Sequence, residues 1–471
     1  MSDALISRFR DCLGAHHVLT GSDCAPWSRD WTGAYRWTPL CVVRPGSTAE
    51  VSAVMALCHD ASQPVVPISG NTGLAGGTSG QGAVMLSMER LNAAPKIRPR
   101  ARVAEVEAGV ILSDLHDACA EHKLAFPMTF GARGSARIGG LLSTNAGGSN
   151  VLRYGNTRDL VLGLEAVMAD GRVMDLTSAL HKNNSGYDLR HLLIGAEGTL
   201  GIITRAMLKL VQKPVARATG FVGLRTLGEA LELLNLLQDV SGGAVEAFEY
   251  MSPRFLEAHG QLHPEIRPVL SKPQPVTVLV ELAGTAERDM AEDFDGRPVL
   301  AGYMEAVLTK MMEDGAILDA VVAQSEAQRA QFWAIRESAA EVSLSQPGAI
   351  VCDLAVALDD VEPALAALDA RLDAVDPQAA SVVVAHLGDG NIHYSVWPGE
   401  TADAHKDMLV EAVEDVLMSF GGSFSAEHGI GRTKLSSMQR RKDAVALDSM
   451  RAIKSALDPR GILNPGAVIP I

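Results

Sequence analysis

The sequence predicts an α+β protein of two domains, and three observations carry that prediction. Its 471 residues exceed what one hydrophobic core ordinarily serves. Up to about Val211, short apolar strands and helices are punctuated by glycine-rich loops. Beyond Val211 glycine thins out and strands alternate with helices, the texture of a sheet covered on one face by helices. A composition 47% apolar and 21% charged allows both cores to be buried.

The opening stretch MSDALISRFRDCLG predicts a short amphipathic helix and lacks the pattern of a secretion signal. No apolar run reaches the ~18 residues of a membrane span. Leu40–Val43 predicts a strand that turns at Arg44-Pro45-Gly46 into a helix, with Ser47 and Glu50 spaced as a capping box. Pro64–Ile68 is a second strand, feeding the loop Ser69-Gly70-Asn71-Thr72-Gly73-Leu74-Ala75-Gly76-Gly77. A second small-residue segment holds Gly131, Ser135, Gly139, Gly140, Asn145, Gly147 and Gly148, and a third, Gly195–Gly201, carries Glu197 and Gly198 into Ile202-Ile203. In the later half, Phe221–Leu224, Val276–Leu282 and Val382–Ala385 predict strands, while residues 227–240 and the alanine-rich 363–374 predict helices. The acidic run Glu287–Asp295 predicts a solvated loop, and Leu457–Gly466 has turn chemistry after a helix.

Function classes narrow on charge and cysteine usage. A formal charge of −15 without a basic cluster disfavours nucleic acid and anionic membrane surfaces. Cys12, Cys24, Cys41, Cys58, Cys119 and Cys352 form no CxxC pair, which argues against a disulfide framework, an iron–sulfur cluster or a cysteine-zinc site and fits a reducing cytoplasm. The loop at Ser69–Gly77 has four glycines in nine residues, so its backbone N–H groups can nest around an oxyanion. Alone it does not separate a ligand loop from an ordinary turn, and it has neither P-loop lysine nor GxGxxG spacing. Three such loops in one half point to a long cofactor, a nucleotide at one end and a flat ring at the other.

A second chemistry lies in Ala385-His386-Leu387-Gly388-Asp389-Gly390-Asn391-Ile392-His393, a buried strand entering a glycine turn. Its histidines are seven residues apart and converge only if the turn folds the strand back. Ser425-Ala426-Glu427-His428-Gly429-Ile430-Gly431 adds a carboxylate and a third imidazole, enough for a two-histidine, one-carboxylate metal site with one imidazole left for acid–base work. The plain alternatives are a core histidine at His386, exposed histidines at His393 and His428, and a surface acid at Glu427.

These motifs, with IGGLLSTNAGG, LRYGNTRDLVLGLEAV, SGYDLRHLLIGAEGTLGIIT and DPRGILNPG, span nearly the whole chain. Together they resemble the FAD-dependent D-2-hydroxyacid dehydrogenases of the vanillyl-alcohol-oxidase (PCMH) fold, a family that includes D-2-hydroxyglutarate and D-lactate dehydrogenases and the flavin subunit of glycolate oxidase. The resemblance implies a two-subdomain FAD-binding domain in residues 1–213, a substrate-binding cap with an antiparallel sheet in 214–422, and a return to the flavin domain in 423–471. It implies that Ser69, Gly70, Asn71, Thr72, Gly73, Gly76 and Gly77 hold the FAD pyrophosphate. Gly131, Ser135, Gly139, Gly140, Asn145, Gly147, Gly148, Glu197, Gly198, Ile202, Ile203 and Asn464 would line the rest. The first loop has no histidine or cysteine to attach the flavin, so non-covalent FAD is expected.

By the same resemblance His386, His393 and Glu427 are ligands of Zn²⁺ or another divalent metal, His428 is the base, and Arg336 grips the substrate carboxylate. The implied reaction is oxidation of a D-2-hydroxyacid to the 2-oxoacid, with hydride transfer to flavin N5. Ala340, Val351 and Ser395 depart from the hydroxyglutarate pattern of threonine or serine, lysine and asparagine. A distal carboxylate without its lysine would cost roughly several kcal/mol, which favours a smaller or more apolar D-lactate-like substrate over D-2-hydroxyglutarate. Electrons would leave to an external acceptor: an electron-transfer flavoprotein, a quinone or a partner subunit, with a homodimer admitted. The rival readings are a metal-independent FAD alcohol oxidase and a non-catalytic flavin subunit of a redox complex.

Overall fold

The computed structural model describes residues 2–291 and 299–470, so the expected acidic loop lies outside the described residues from position 292. The chain divides into two compact units, one formed by residues 1–147, 155–212 and 427–471, the other by 148–154 and 213–426.

The first unit has two principal sheets. In one, Cys41–Val43, Val84–Ser87 and Val65–Ile68 run parallel, with Val18–Leu19 antiparallel at the edge. Cys41–Val43 and Val84–Ser87 are buried along their whole length, as parallel strands covered on both faces must be. Helices Ser2–Leu13 and Thr48–Asp60 supply Phe9, Val51, Val54 and Met55 to that core. Ser47 caps the second helix by accepting from the Glu50 N–H, but the Glu50 carboxylate reaches the Gly46 N–H rather than that of Ser47, so the expected capping box closes one residue early. The chain's end joins the same sheet. The Val65 N–H donates to Ile462 O and the Asn464 N–H to Val65 O, both at 2.8 Å, while Ile462 and Leu463 enter the core. The other sheet is antiparallel, in the order Lys96–Arg98, Val103–Glu107, Ile202–Lys209, Val161–Val167 and Val173–Leu176.

The second unit is built on seven antiparallel strands: β1 Ala216–Leu224, β2 Val245–Met251, β3 Val276–Gly284, β4 Ile317–Val322, β5 Ile350–Ala355, β6 Ala380–His386 and β7 Asn391–Trp397. Their spatial order is β4-β1-β3-β2-β6-β7-β5. On one face lie helices α1 Leu227–Ser241, α3 Val299–Glu313, α6 Val361–Val375 and α7 Asp403–Ser419. The opposite face is covered too, by α2 Pro253–Leu262, α4 Glu326–Glu337 and α5 Ala339–Ser343. The expectation of one covered face therefore needs correcting. Phe221, Met251, Leu279, Val382 and Val384 make the second face apolar as well, and Phe255, Phe332, Ile335 and Val342 bury it. No described helix is long and apolar enough to cross a membrane.

Candidate functional site

In the first unit, the glycine loops gather around Glu197. Its carboxylate accepts from the Ile430 N–H at 2.8 Å and the Gly431 N–H at 2.9 Å. Burial pushes this carboxyl up, against the opposing pull of those two donors. A Cβ at Gly429 would lie 2.6 Å from Glu197 Oε1, and one at Gly77 would lie 3.1 Å from Oε2, so glycine is what lets these loops close on the acid. Asn464 donates to Gly77 O at 2.9 Å and Glu197 O at 2.8 Å, and Arg432 donates to Ser79 O, Pro465 O and Gly466 O. Asn71, Asn145, Glu197 and Asn464 all hold left-handed backbone, which side-chain-bearing residues adopt at a cost.

The other expected cofactor residues take distinct places. Gly70 packs against the Ser135–Arg137 backbone and Gly140 against Ser69, joining the first two loops. Gly73, Gly131 and Gly134 face open space, where a Cβ would meet no atom within 4 Å. Such a walled but open backbone suits a long cofactor approached closely by main chain. Thr78 donates to Asn71 Oδ1 at 2.8 Å, turning that side chain into the loop's own bracing. Gly139 lies against Ala108, and Ile202 is buried in the core beside Val167 and Ala169. Gly147 ends one segment of the first unit, whereas Gly148 opens the short segment that belongs to the second.

In the second unit, β6 and β7 form a hairpin whose turn brings the two histidine rings to 5.2 Å between centroids, edge to face. Gly390 makes the turn with φ +77, and a Cβ there would lie 2.2 Å from Val356 O. His386 Nδ1 is 2.9 Å from Glu249 Oε1, on the neighbouring strand β2. Burial alone would raise the Glu249 carboxyl. The His386 imidazole and the Arg336 guanidinium, with a hydrogen bond from Ser149, outweigh burial and hold it well below the usual carboxylate range. An ionised carboxylate only accepts, so the His386 proton sits on Nδ1 and a metal would be taken at Nε2. His393 Nδ1 lies 3.6 Å from Asp353 Oδ1 on β5, and Asp353 is fully buried and accepts from Asn391 Nδ2 at 2.9 Å. His386 thus has a buried carboxylate hydrogen-bonded to it, the outer support that metal-bound histidines ordinarily have, and His393 has the buried Asp353 carboxylate 3.6 Å away, close enough to His393 and His428 to be a ligand itself.

Arg336 lies in α4, its side chain 9% exposed, and donates from Nε to Glu249 Oε2 at 2.8 Å. Its Nη2 is buried with no hydrogen-bond partner among the described residues. Val351 and Ser395 are cross-strand partners next along from the Asp353–His393 pair on the same face, Val351 partly exposed and Ser395 buried. The Ala426 N–H donates to Asp353 O at 3.2 Å, and Glu427 and His428 follow directly. Glu427 Oε1 lies 4.0 Å from His428 Nε2.

Glu249 and its carboxylate bridge were missed from sequence, although Glu246 and Glu249 interrupt the otherwise apolar strand VEAFEYM. So was the network in which Glu281, 3% exposed in its side chain, accepts from Arg217, Arg329, Thr219 and Trp333. A buried acid in an apolar strand was the available signal, since such a group requires partners.

Residues 39–177 match the model of an FAD-binding domain, and residues 213–468 that of the C-terminal domain of FAD-linked oxidases. A D-2-hydroxyglutarate dehydrogenase of Xanthomonas citri pv. viticola is 36% identical over 99% of this chain and 97% of its own. The mitochondrial D-2-hydroxyglutarate dehydrogenase of Bos taurus is 36% identical over 96% of this chain and 81% of its own. Among solved structures, p-cresol methylhydroxylase with substrate bound superposes with a TM-score of 0.75 at 17% identity, covering 99% of this chain and 97% of that one. The last likeness establishes the fold, that of the vanillyl-alcohol-oxidase type, and the first ones the kinship. On both, the chain belongs to the FAD-linked oxidases and is an FAD-linked oxidoreductase.

Proposed function

We propose that the protein oxidises a D-2-hydroxyacid to its 2-oxoacid, using non-covalent FAD and a divalent metal, Zn²⁺ in the first instance. What carries this reading is the hairpin that sets His386 and His393 side by side, His386 hydrogen-bonded to the buried Glu249 and His393 beside the buried Asp353. The donor set of two imidazoles and the Glu427 carboxylate suits a borderline cation and leaves room for substrate oxygens. The three glycine loops of residues 69–77, 131–148 and 195–203, with Asn464, are the proposed seat of the FAD, with residues 1–213 and the returning segment 423–471 as the flavin domain and 214–422 as the substrate-binding cap.

When bound, FAD supplies a two-electron oxidant and the metal supplies Lewis acidity toward the 2-hydroxyl. The chain's own residues do the rest. Arg336 binds the substrate carboxylate through the guanidinium edge left by its bond to Glu249, a charge-assisted contact. His428 takes the hydroxyl proton as the C2–H bond breaks. His386 keeps its proton on Nδ1, donated to Glu249, throughout, so its other nitrogen stays available as a ligand.

The kinship favours D-2-hydroxyglutarate, the substrate named for the relatives, while Val351 and Ser395 favour a substrate with no second carboxylate, such as D-lactate. Both belong in the test, anaerobic flavin reduction by D- and L-2-hydroxyacids with and without EDTA. Bleaching by a D-acid that EDTA abolishes and Zn²⁺ restores is expected. Bleaching untouched by EDTA would sink the metal, and no bleaching by any 2-hydroxyacid would sink the reaction. Electrons then pass to an external acceptor: an electron-transfer flavoprotein, a quinone or a partner subunit.

A further inference from the structure

One buried acid in the second unit serves two functional side chains at once. Glu249 is fully buried on β2, and its two oxygens face different partners: Oε1 takes His386 Nδ1 at 2.9 Å and Oε2 takes Arg336 Nε at 2.8 Å. His386 ends β6, hydrogen-bonded beside β2, with Glu249 and His386 directly opposite in register. Arg336 comes from α4, packed over the same face through Phe332 and Ile335. The imidazole and guanidinium are therefore fixed relative to each other through a single carboxylate, which has no freedom to serve one and release the other.

We infer that Glu249 is a positioning residue that sets the metal-ligating nitrogen of His386 and the carboxylate-binding edge of Arg336 in one fixed relation. This rests on the function proposed above. Bidentate sharing makes the two roles inseparable at Glu249 but separable at Arg336. A glutamine here offers an accepting oxygen on one side only: turned to the guanidinium cation, it presents its NH₂ to His386 Nδ1, which can no longer donate there. Removing Arg336 instead leaves Glu249 on His386, and the imidazole keeps its orientation.

The test compares E249Q and R336M as FAD-loaded proteins, by Zn²⁺ affinity in competition with a chromophoric chelator and by the split between KM and kcat. In R336M, Zn²⁺ affinity should stay within about threefold of wild type while KM for the hydroxyacid rises at least tenfold. In E249Q, Zn²⁺ affinity should fall by about 10- to 100-fold, the usual effect of losing a partner behind a metal ligand, and KM should rise as well. If E249Q does not fold, E249A/R336M removes every acceptor for the His386 Nδ1–H together with the cation left without its carboxylate, and its Zn²⁺ affinity should be as weak. Wild-type Zn²⁺ affinity in a folded E249Q or E249A/R336M overturns the inference, as does an R336M that loses Zn²⁺ as severely as E249Q. A wild-type protein that binds no Zn²⁺ and is indifferent to chelation would instead overturn the proposed function.

Discussion

Substituting Gly70 by alanine tests whether the first two glycine loops form one cofactor wall. A Cβ at this position would stand 2.4 Å from Ser135 O, 3.0 Å from Ala136 Cα and 3.2 Å from Arg137 N. Carbon–oxygen contacts settle at roughly 3.3 Å or more, so the loops must part by about 1 Å. All three obstructing atoms are backbone, so no side-chain rotation relieves the clash. Overpacking of this kind costs about 1–3 kcal/mol, and a backbone obstruction belongs in the upper half of that range. If the strain is released by displacing the loop proposed to hold the pyrophosphate, about 2–3 kcal/mol weakens FAD binding roughly 30- to 150-fold. Titration of the apoprotein with FAD, followed by flavin fluorescence, measures the dissociation constant directly, and a thermal melt of the apoprotein measures the strain without ligand. An FAD affinity within about threefold of wild type, with an unchanged melt, would show that Gly70 is not in a wall that FAD needs.

Gly390→Ala should disrupt the hairpin, since the residue has φ +77 and its Cβ would fall 2.2 Å from Val356 O; loss of Zn²⁺ affinity together with a lowered melting temperature is expected, and a variant with both intact would contradict the turn's role. Glu281→Gln breaks a buried ion pair with Arg217 and Arg329 and should cost about 3–5 kcal/mol at neutral pH. Burial raises the Glu281 carboxyl, but the hydrogen bond from Arg329 and the charges of Arg217 and Arg329 prevail and hold it below its ordinary value near 4.5. Its contribution is therefore complete above pH 4.5 and lost as pH falls through the depressed value, so the wild-type and E281Q denaturation curves should converge on acidification. A gap that stays constant from pH 7 down to acid unfolding would refute this assignment. Cys12 is exposed and the other five thiols are buried, so a thiol reagent should find one fast group in the native protein and six after denaturation; several fast native thiols would contradict the packing around Cys24, Cys41, Cys58, Cys119 and Cys352.

Local signals were legible in the sequence because they are set by neighbours in the chain. The strand Val65–Ile68, the helix expected over 227–240 and the glycine turn between His386 and His393 follow from apolar runs and from the glycines that let the chain fold back, Gly390 among them with positive φ. Tertiary partnerships were not legible in the same way. Nothing in Phe221, Leu279 or Val384 says that the second face of the sheet is covered, because an apolar residue reads alike whichever helix buries it. The membership of residues 148–154 in the second unit is likewise a fact of contact, expressed in the Arg153 bond to Ala283 O and the Tyr154 bond to Glu246.

The same division runs through the candidate site. His386, His393, Glu427 and His428 declare themselves because imidazole and carboxylate at glycine turns are suited to few tasks. Glu249 and Asp353 do not, since an acid within an apolar strand has many possible partners and only the fold selects them. Yet the supports decide what the candidate ligands can do. Without Glu249 the His386 tautomer is open and Arg336 is an uncompensated buried cation, and without Asp353 the His393 ring loses a carboxylate behind it. Residue type names the chemistry, and the buried acids beneath it set which nitrogen and which guanidinium edge are offered.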